Sequence, residues 1–184
     1  MPENRSGIGY DAHRLVPERK LILGGVHVPH NYGLKGHSDG DVLLHAVIDS
    51  ILGAASFGDI GTHFPSSDPE LRGVSSISLL GRTKKMVAVE GWEVVFLDAT
   101  ILAEKPRLSP YFDRMKSRIS KVLNLGSSDI NVKSTTTDGL GFIGEEEGIA
   151  SMACLLYTSA AADERSRVDL GGRRIIIKKK RGGG

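Results

Sequence analysis

Between residues 39 and 54 the chain reads Asp-Gly-Asp-Val-Leu-Leu-His-Ala-Val-Ile-Asp-Ser-Ile-Leu-Gly-Ala, apolar almost all the way round except for Asp41, His45 and Asp49. A helix with so little polar surface has to be enclosed on most sides, so the rest of the chain must build layers over it. Ser38-Asp39-Gly40-Asp41 has the form of a capping box, which predicts a helix over 39–54 with Ser38 as its cap. Positions recurring every four residues share one stripe of a helix. Two carboxylates and an imidazole in a buried stripe are costly unless paired, hydrogen-bonded or metal-bound.

Residues 7–15 alternate like a strand, with Ile8, Tyr10 and Ala12 on one face and Gly9, Asp11 and His13 on the other. Asp11 and His13 then project from one face about 7 Å apart and can converge with His45. Three N/O ligands with the fourth position open is how catalytic zinc is held, whereas structural zinc is usually closed by four ligands rich in cysteine. Zinc, or another divalent transition metal, is therefore the leading candidate for Asp11, His13 and His45, with Asp49 as an acceptor orienting the His45 ring. Spacing alone leaves open that His45 is a hydrogen-bonded core histidine and Asp49 an exposed carboxylate.

Further elements follow in alternation. Leu21–Val28 reads as a small hairpin around Gly24-Gly25, a pair that tolerates positive φ. A loop rich in Gly, Pro, Ser and Asp over 58–75 precedes a helix over 75–90, a strand over 93–102, and a helix over 110–124 that Ser109-Pro110 introduces. Strands over 131–136 and 149–159 complete the list. The expected fold is α/β in two layers (α+β): a mixed, mainly four-stranded sheet with helices on one face, plus the small N-terminal hairpin.

One domain over 1–162 suits a chain of 184 residues. The lone Cys154 sits in an apolar strand and is expected to be a buried thiol, so no disulfide framework exists and a cytoplasmic location is expected. No apolar stretch approaches the ~20 residues of a membrane span. Of the chain's +2 net charge, residues 163–184 contribute +5 and the body −3. This basic tail is expected to be a flexible, solvated appendage; with no aromatic residue among its cations, it does not argue for nucleic acid.

Two clusters suit anions. Gly36-His37-Ser38-Asp39-Gly40 places small residues and amide donors at a helix start, where an anion or an ordinary cap fits equally well. Ser134-Thr135-Thr136-Thr137-Asp138-Gly139 offers hydroxyls, amides and a carboxylate to a diphosphate and a hard divalent ion, though threonines are commonplace at strand ends.

Taken together, Gly-Tyr-Asp-Ala-His-Arg-Leu (9–15), Gly-His-Ser-Asp-Gly-Asp-Val-Leu-Leu-His (36–45), Gly-Asp-Ile-Gly (58–61), Phe-Pro-x-x-Asp (64–68) and Lys-x-Thr-Thr-Thr (133–137) occur in that order. In this the chain resembles the 2-C-methyl-D-erythritol 2,4-cyclodiphosphate synthase family of the non-mevalonate isoprenoid pathway, over roughly residues 7–160. The resemblance implies a homotrimer with active sites at subunit interfaces. It implies that 4-diphosphocytidyl-2-C-methyl-D-erythritol 2-phosphate is cyclised with release of CMP. It places zinc on Asp11, His13 and His45, and magnesium or manganese at Asp138 beside a diphosphate held by the Thr135–Asp138 turn. Thr136, His37 and Asp59 would act at the reacting groups. His37 and Ser38 would meet the 2-phosphate, Asp59 the methylerythritol hydroxyls, and Phe64 and Asp68 would belong to a loop closing over them. Ala103, Arg107, Leu108 and Ser109 of a neighbouring subunit would hold cytidine, and Phe142 would also contact substrate. The sequence departs from the family at Asp138, commonly glutamate, and at Glu145, where many bacterial members carry arginine near the trimer axis. A module that senses cytidine nucleotides without turnover is the competing reading.

Overall fold

The long first strand, β1 (Asn4–Pro17), pairs antiparallel along most of its length with the last, β7 (Gly148–Ser159). This pairing of the two ends of the described chain organises the molecule in the computed structural model, which describes residues 4–159. β5 (Trp92–Leu102) joins the other side of β7 antiparallel, and β6 (Ile130–Thr135) adds to β5 in parallel. A three-residue strand, β4 (Tyr32–Leu34), pairs with the end of β1. Among the described residues the main sheet thus has five strands in the order β4-β1-β7-β5-β6, not four. β4 is too short to carry a periodic signal; it forms because β1 runs on to Pro17 and leaves an edge to be paired.

β2 (Leu21–Leu23) and β3 (Val26–Val28) make the expected hairpin, with Gly24 and Gly25 at φ 57° and 69°. Both turn amides donate to the buried Asp41 carboxylate, at 2.9 and 2.6 Å. That carboxylate also accepts from Leu44 N at 3.1 Å, so Asp41 is the cap of α1 (Val42–Ala54) and clips the hairpin onto the helix start. The expected cap, Ser38, lies before Gly40, whose φ of 74° cannot continue a helix. Burial pushes the Asp41 carboxyl up to about 6, against the pull of the amides that donate to it.

α1 packs on β1 and β7, α3 (Ser76–Val89) against α1, and α4 (Phe112–Leu123) against α3 and β6, so one sheet face is covered by helices. α4 is entered through a 3-10 turn at Ser109–Tyr111, in which the Ser109 hydroxyl accepts from Arg107 Nε instead of capping the helix. The segment expected as a plain loop contains α2 (Ile60–His63) and a 3-10 turn at Pro69–Leu71.

The other sheet face is bare in the single chain. Ile8 is 77% exposed, Tyr10 55% and Met152 50%, and Phe96 and Leu156 also lie open. Cys154, expected to be buried, is exposed, because β7's alternation puts it opposite Ile8 on this face. No helix among the described residues is long and apolar enough to cross a membrane. The basic tail over 163–184 lies outside the described residues.

Candidate active site

β1 approaches α1 unusually closely because it carries glycine where the two backbones cross. A Cβ on Gly9 would lie 2.0 Å from Ala46 O and 2.7 Å from Ser50 N; one on Gly7 would lie 2.1 Å from Ser50 O. That approach sets Asp11 and His13 beside His45. Asp11 Oδ2 is 2.8 Å from His13 Nε2 and 2.9 Å from His45 Nδ1, and the two ring nitrogens are 3.0 Å apart. Burial raises the Asp11 pKa, but the hydrogen bonds from His13 and His45 outweigh it and hold the carboxyl well below the usual carboxylate range. His45 is also buried, which disfavours its charge, yet the hydrogen bond and charge of Asp11 shift its pKa upward.

Two imidazole nitrogens and a carboxylate oxygen at mutual distances of 2.8–3.0 Å are a donor set for a small divalent ion. Bonds of ~2.0–2.2 Å at tetrahedral angles need the donors only a few tenths of an ångström further apart. This is the one cluster of three or more metal-type ligands among the described residues.

The other ring nitrogen of His45, Nε2, lies 3.0 Å from both Ser38 Oγ and Ser76 Oγ. Ser76 Oγ donates to Asp39 Oδ1 at 2.5 Å, and Ser76 N to Asp39 Oδ2 at 2.9 Å. Asp49, expected to orient this ring, instead accepts from Ile60 N at 2.7 Å and pins the start of α2. Sequence reasoning found neither Ser76 nor Asp39 in this role, because Ser76 comes to His45 from the start of α3, 31 residues on, and Asp39 acts only through Ser76.

A cleft of about 250 Å³ opens over the cluster, lined by Asp11, His13, His37, Ser38 and His45 on its polar side. Ile60, Phe64, Leu71, Val74 and Leu79 form its apolar wall. His37 Nε2 donates to Asp68 O at 3.0 Å, tying this loop to the 64–72 segment. The Asp68 side chain accepts from Glu70 N at 2.9 Å. Asp59 caps α2 and accepts from the Thr62 amide and hydroxyl, which hold its carboxyl below the usual range. Asp59 and Asp68 flank the cleft without lining it.

The remaining expected residues gather elsewhere. Ala103, Arg107, Leu108, Ser109, Thr135 and Thr136 line a second cleft of about 520 Å³, with Glu104, Lys105, Pro106 and Ser134. The two clefts have no lining residue in common. Glu104 was not anticipated. It accepts from Thr137 N at 2.8 Å and from Thr137 Oγ1 at 3.2 Å, and so fixes the turn after β6. Those hydrogen bonds, chiefly from the Thr137 amide, hold its carboxyl low. A carboxylate at the end of one parallel strand beside a threonine run at the end of the next was the available signal. Asp138 is exposed at φ 52°, and its Oδ1 accepts from Thr136 Oγ1 at 3.1 Å. Phe142 lines neither cleft; its ring packs where a Cβ on Gly148 would meet it, beside the His13 carbonyl.

The sequence profile of the YgbB family matches residues 4–158. The 2-C-methyl-D-erythritol 2,4-cyclodiphosphate synthase of Clostridioides difficile is 52% identical over 157 residues, which are 85% of this chain and 98% of that one. The bifunctional IspDF of Campylobacter jejuni superposes with a TM-score of 0.84 at 40% identity, over 86% of this chain and 43% of that chain. The present chain therefore spans less than half of that bifunctional protein. The IspF of Plasmodium falciparum in complex with CDP gives a TM-score of 0.75 at 34% identity, over 85% and 96% of the two chains. With the profile covering nearly all the described residues and half the positions shared with a curated relative, this chain belongs to the YgbB family of 2-C-methyl-D-erythritol 2,4-cyclodiphosphate synthases.

Proposed function

We propose that the chain converts 4-diphosphocytidyl-2-C-methyl-D-erythritol 2-phosphate to 2-C-methyl-D-erythritol 2,4-cyclodiphosphate and CMP. The observation that carries this reading is the convergence of Asp11, His13 and His45 in a cleft that His37 and Ser38 also line. In the reaction an oxygen of the 2-phosphate bonds to the β-phosphorus while the bond from that phosphorus to the oxygen bridging to the α-phosphate breaks. CMP leaves with the bridging oxygen, and no water is consumed.

The obstacle is repulsion between an anionic nucleophile and an anionic diphosphate. Zinc held by Asp11, His13 and His45, with magnesium or manganese at Asp138, would offset that repulsion and align the reacting groups. An ion of the second kind typically uses one or two carboxylates plus substrate phosphates, which suits a single exposed Asp138. The chain's own groups do the rest. Ser38 and His37 bind the 2-phosphate, and Asp59 and Phe64 hold the methylerythritol part. Thr135 and Thr136 orient the diphosphate, with the Thr136 hydroxyl stabilising developing charge rather than attacking. The attacking phosphate is already ionised near neutral pH, so no general base is required.

Cytidine rests against Ala103, Arg107, Leu108 and Ser109, and the CDP complex of the P. falciparum relative supports a cytidine nucleotide as ligand. Since the metal cleft and this second cleft share no residue, one site composed from two subunits of a homotrimer is the reading we adopt; the bare apolar sheet face supports it. The test is to incubate the full chain with the cytidine-linked substrate, Zn²⁺ and Mg²⁺ and follow ³¹P resonances. Equal amounts of CMP and cyclic diphosphate are expected. Binding of CDP with no CMP release from the substrate would sink the proposal in favour of a nucleotide-sensing module.

A further inference from the structure

We propose that Asp39 and Ser76 are positioning residues that fix His45 with its Nε2–H donated to the Ser76 hydroxyl, so that Nδ1 is the atom presented to the metal. The inference rests on the reading of Asp11, His13 and His45 as metal ligands.

A serine hydroxyl has one proton. Ser76 Oγ lies 2.5 Å from Asp39 Oδ1, and an ionised carboxylate only accepts, so that proton is committed to Asp39. The Ser76 amide donates to the second carboxylate oxygen at 2.9 Å, so one residue holds both oxygens of Asp39. Ser76 is fully buried at the first position of α3, which leaves it no water to exchange partners with. Toward His45 Nε2, at 3.0 Å, Ser76 Oγ therefore offers only lone pairs, and the ring nitrogen has to be the donor. Ser38 Oγ, also 3.0 Å away, shares that N–H. A neutral His45 protonated at Nε2 carries its lone pair on Nδ1, the atom 2.9 Å from Asp11 Oδ2 and 3.0 Å from His13 Nε2. A carboxylate acting through a hydroxyl also makes the imidazole a better ligand, as direct carboxylate partners do for other metal-bound histidines.

The test compares the full chain with Ser76→Ala and Asp39→Asn. Zinc affinity is read by competition with a chromophoric chelator, and the protonated nitrogen of His45 from ¹H–¹⁵N correlations of zinc-loaded, ¹⁵N-histidine protein. The original chain is expected to show one slowly exchanging His45 Nε2–H. Ser76→Ala should weaken zinc by ~10–100-fold and speed exchange of that proton, which then keeps only Ser38 as acceptor. Asp39→Asn should weaken zinc by a smaller factor and speed exchange of the same proton; because it removes no heavy atom, it keeps the test open if Ser76→Ala does not fold. Original-chain affinity and an intact signal in both variants would overturn the inference, as would a His45 proton on Nδ1 in the zinc-loaded chain. If the unsubstituted chain takes up no zinc, the metal reading itself fails, a result distinct from equal binding by all three proteins.

Discussion

In the proposed site, zinc and a proton would compete for the same nitrogen of His45. Without metal, Asp11 sits below its ordinary 3.8 and His45 above its ordinary 6.5. The depressed Asp11 contributes stability that is present above 3.8 and is lost as pH falls through its lowered value. The raised His45 contributes stability that is full below 6.5 and is lost as pH rises through its raised value. The metal-free ion pair thus helps most between those limits, while zinc requires the His45 proton to leave. The rise in melting temperature on adding zinc should therefore grow as pH rises above 6.5 and through the raised pKa of His45, and scanning calorimetry over a pH series checks it. His45→Ala or Asp11→Ala should cost more zinc affinity than the ~10–100-fold of an outer-shell change, with far-UV circular dichroism retained. Zinc at full stoichiometry in both variants would show the ligand assignment wrong. Asp11, His13 and His45 were legible because strand and helix periodicities put them on defined faces. Ser76 and Asp39 were not, since no local spacing links Ser76 to a residue 31 positions away.

Between elements, the decisive contact is backbone against backbone. A methyl group on Gly9 meets the Ala46 carbonyl, which no change of rotamer can relieve. Gly9→Ala should thus destabilise the chain by at least the ~1–3 kcal/mol typical of overpacking, measured by urea denaturation, and weaken zinc binding as β1 retreats from α1. Asp41→Ala removes a helix cap and leaves the Gly24 and Gly25 amides without their acceptor, at a cost of about 2–4 kcal/mol in the same measurement. The apolar run announced α1, but its start was misread by three residues. Ser38 has the right side chain for a cap; only the tertiary contact with His45, and Gly40 in a left-handed conformation, show that it is used otherwise. β4 escaped notice for a related reason: three residues become a strand only when β1 is there to pair with.

At the scale of the molecule, one face of the sheet is apolar and uncovered, with Ile8 77% exposed opposite Cys154 and near Tyr10 and Met152. An area of this kind marks an interaction surface. If the proposed trimer assembles through this face, Ile8→Asp should sediment as a monomer and release no CMP, yet leave zinc uptake intact, because all three proposed ligands come from one chain. Loss of zinc together with assembly would instead place the interface within the metal site.

The residue order alone determined the family, the two-layer arrangement and three residues that converge, because periodicity and long ordered motifs are local properties of the chain. Tertiary structure decided what local patterns do not encode. It showed that Asp41 serves the hairpin and Asp49 the start of α2, while Ser76, held by Asp39, reaches the far side of the His45 ring. A buried polar group takes whichever partner packing brings within about 3 Å, and here those partners come from the hairpin, α2 and the start of α3 packed around α1 rather than from neighbours along the sequence.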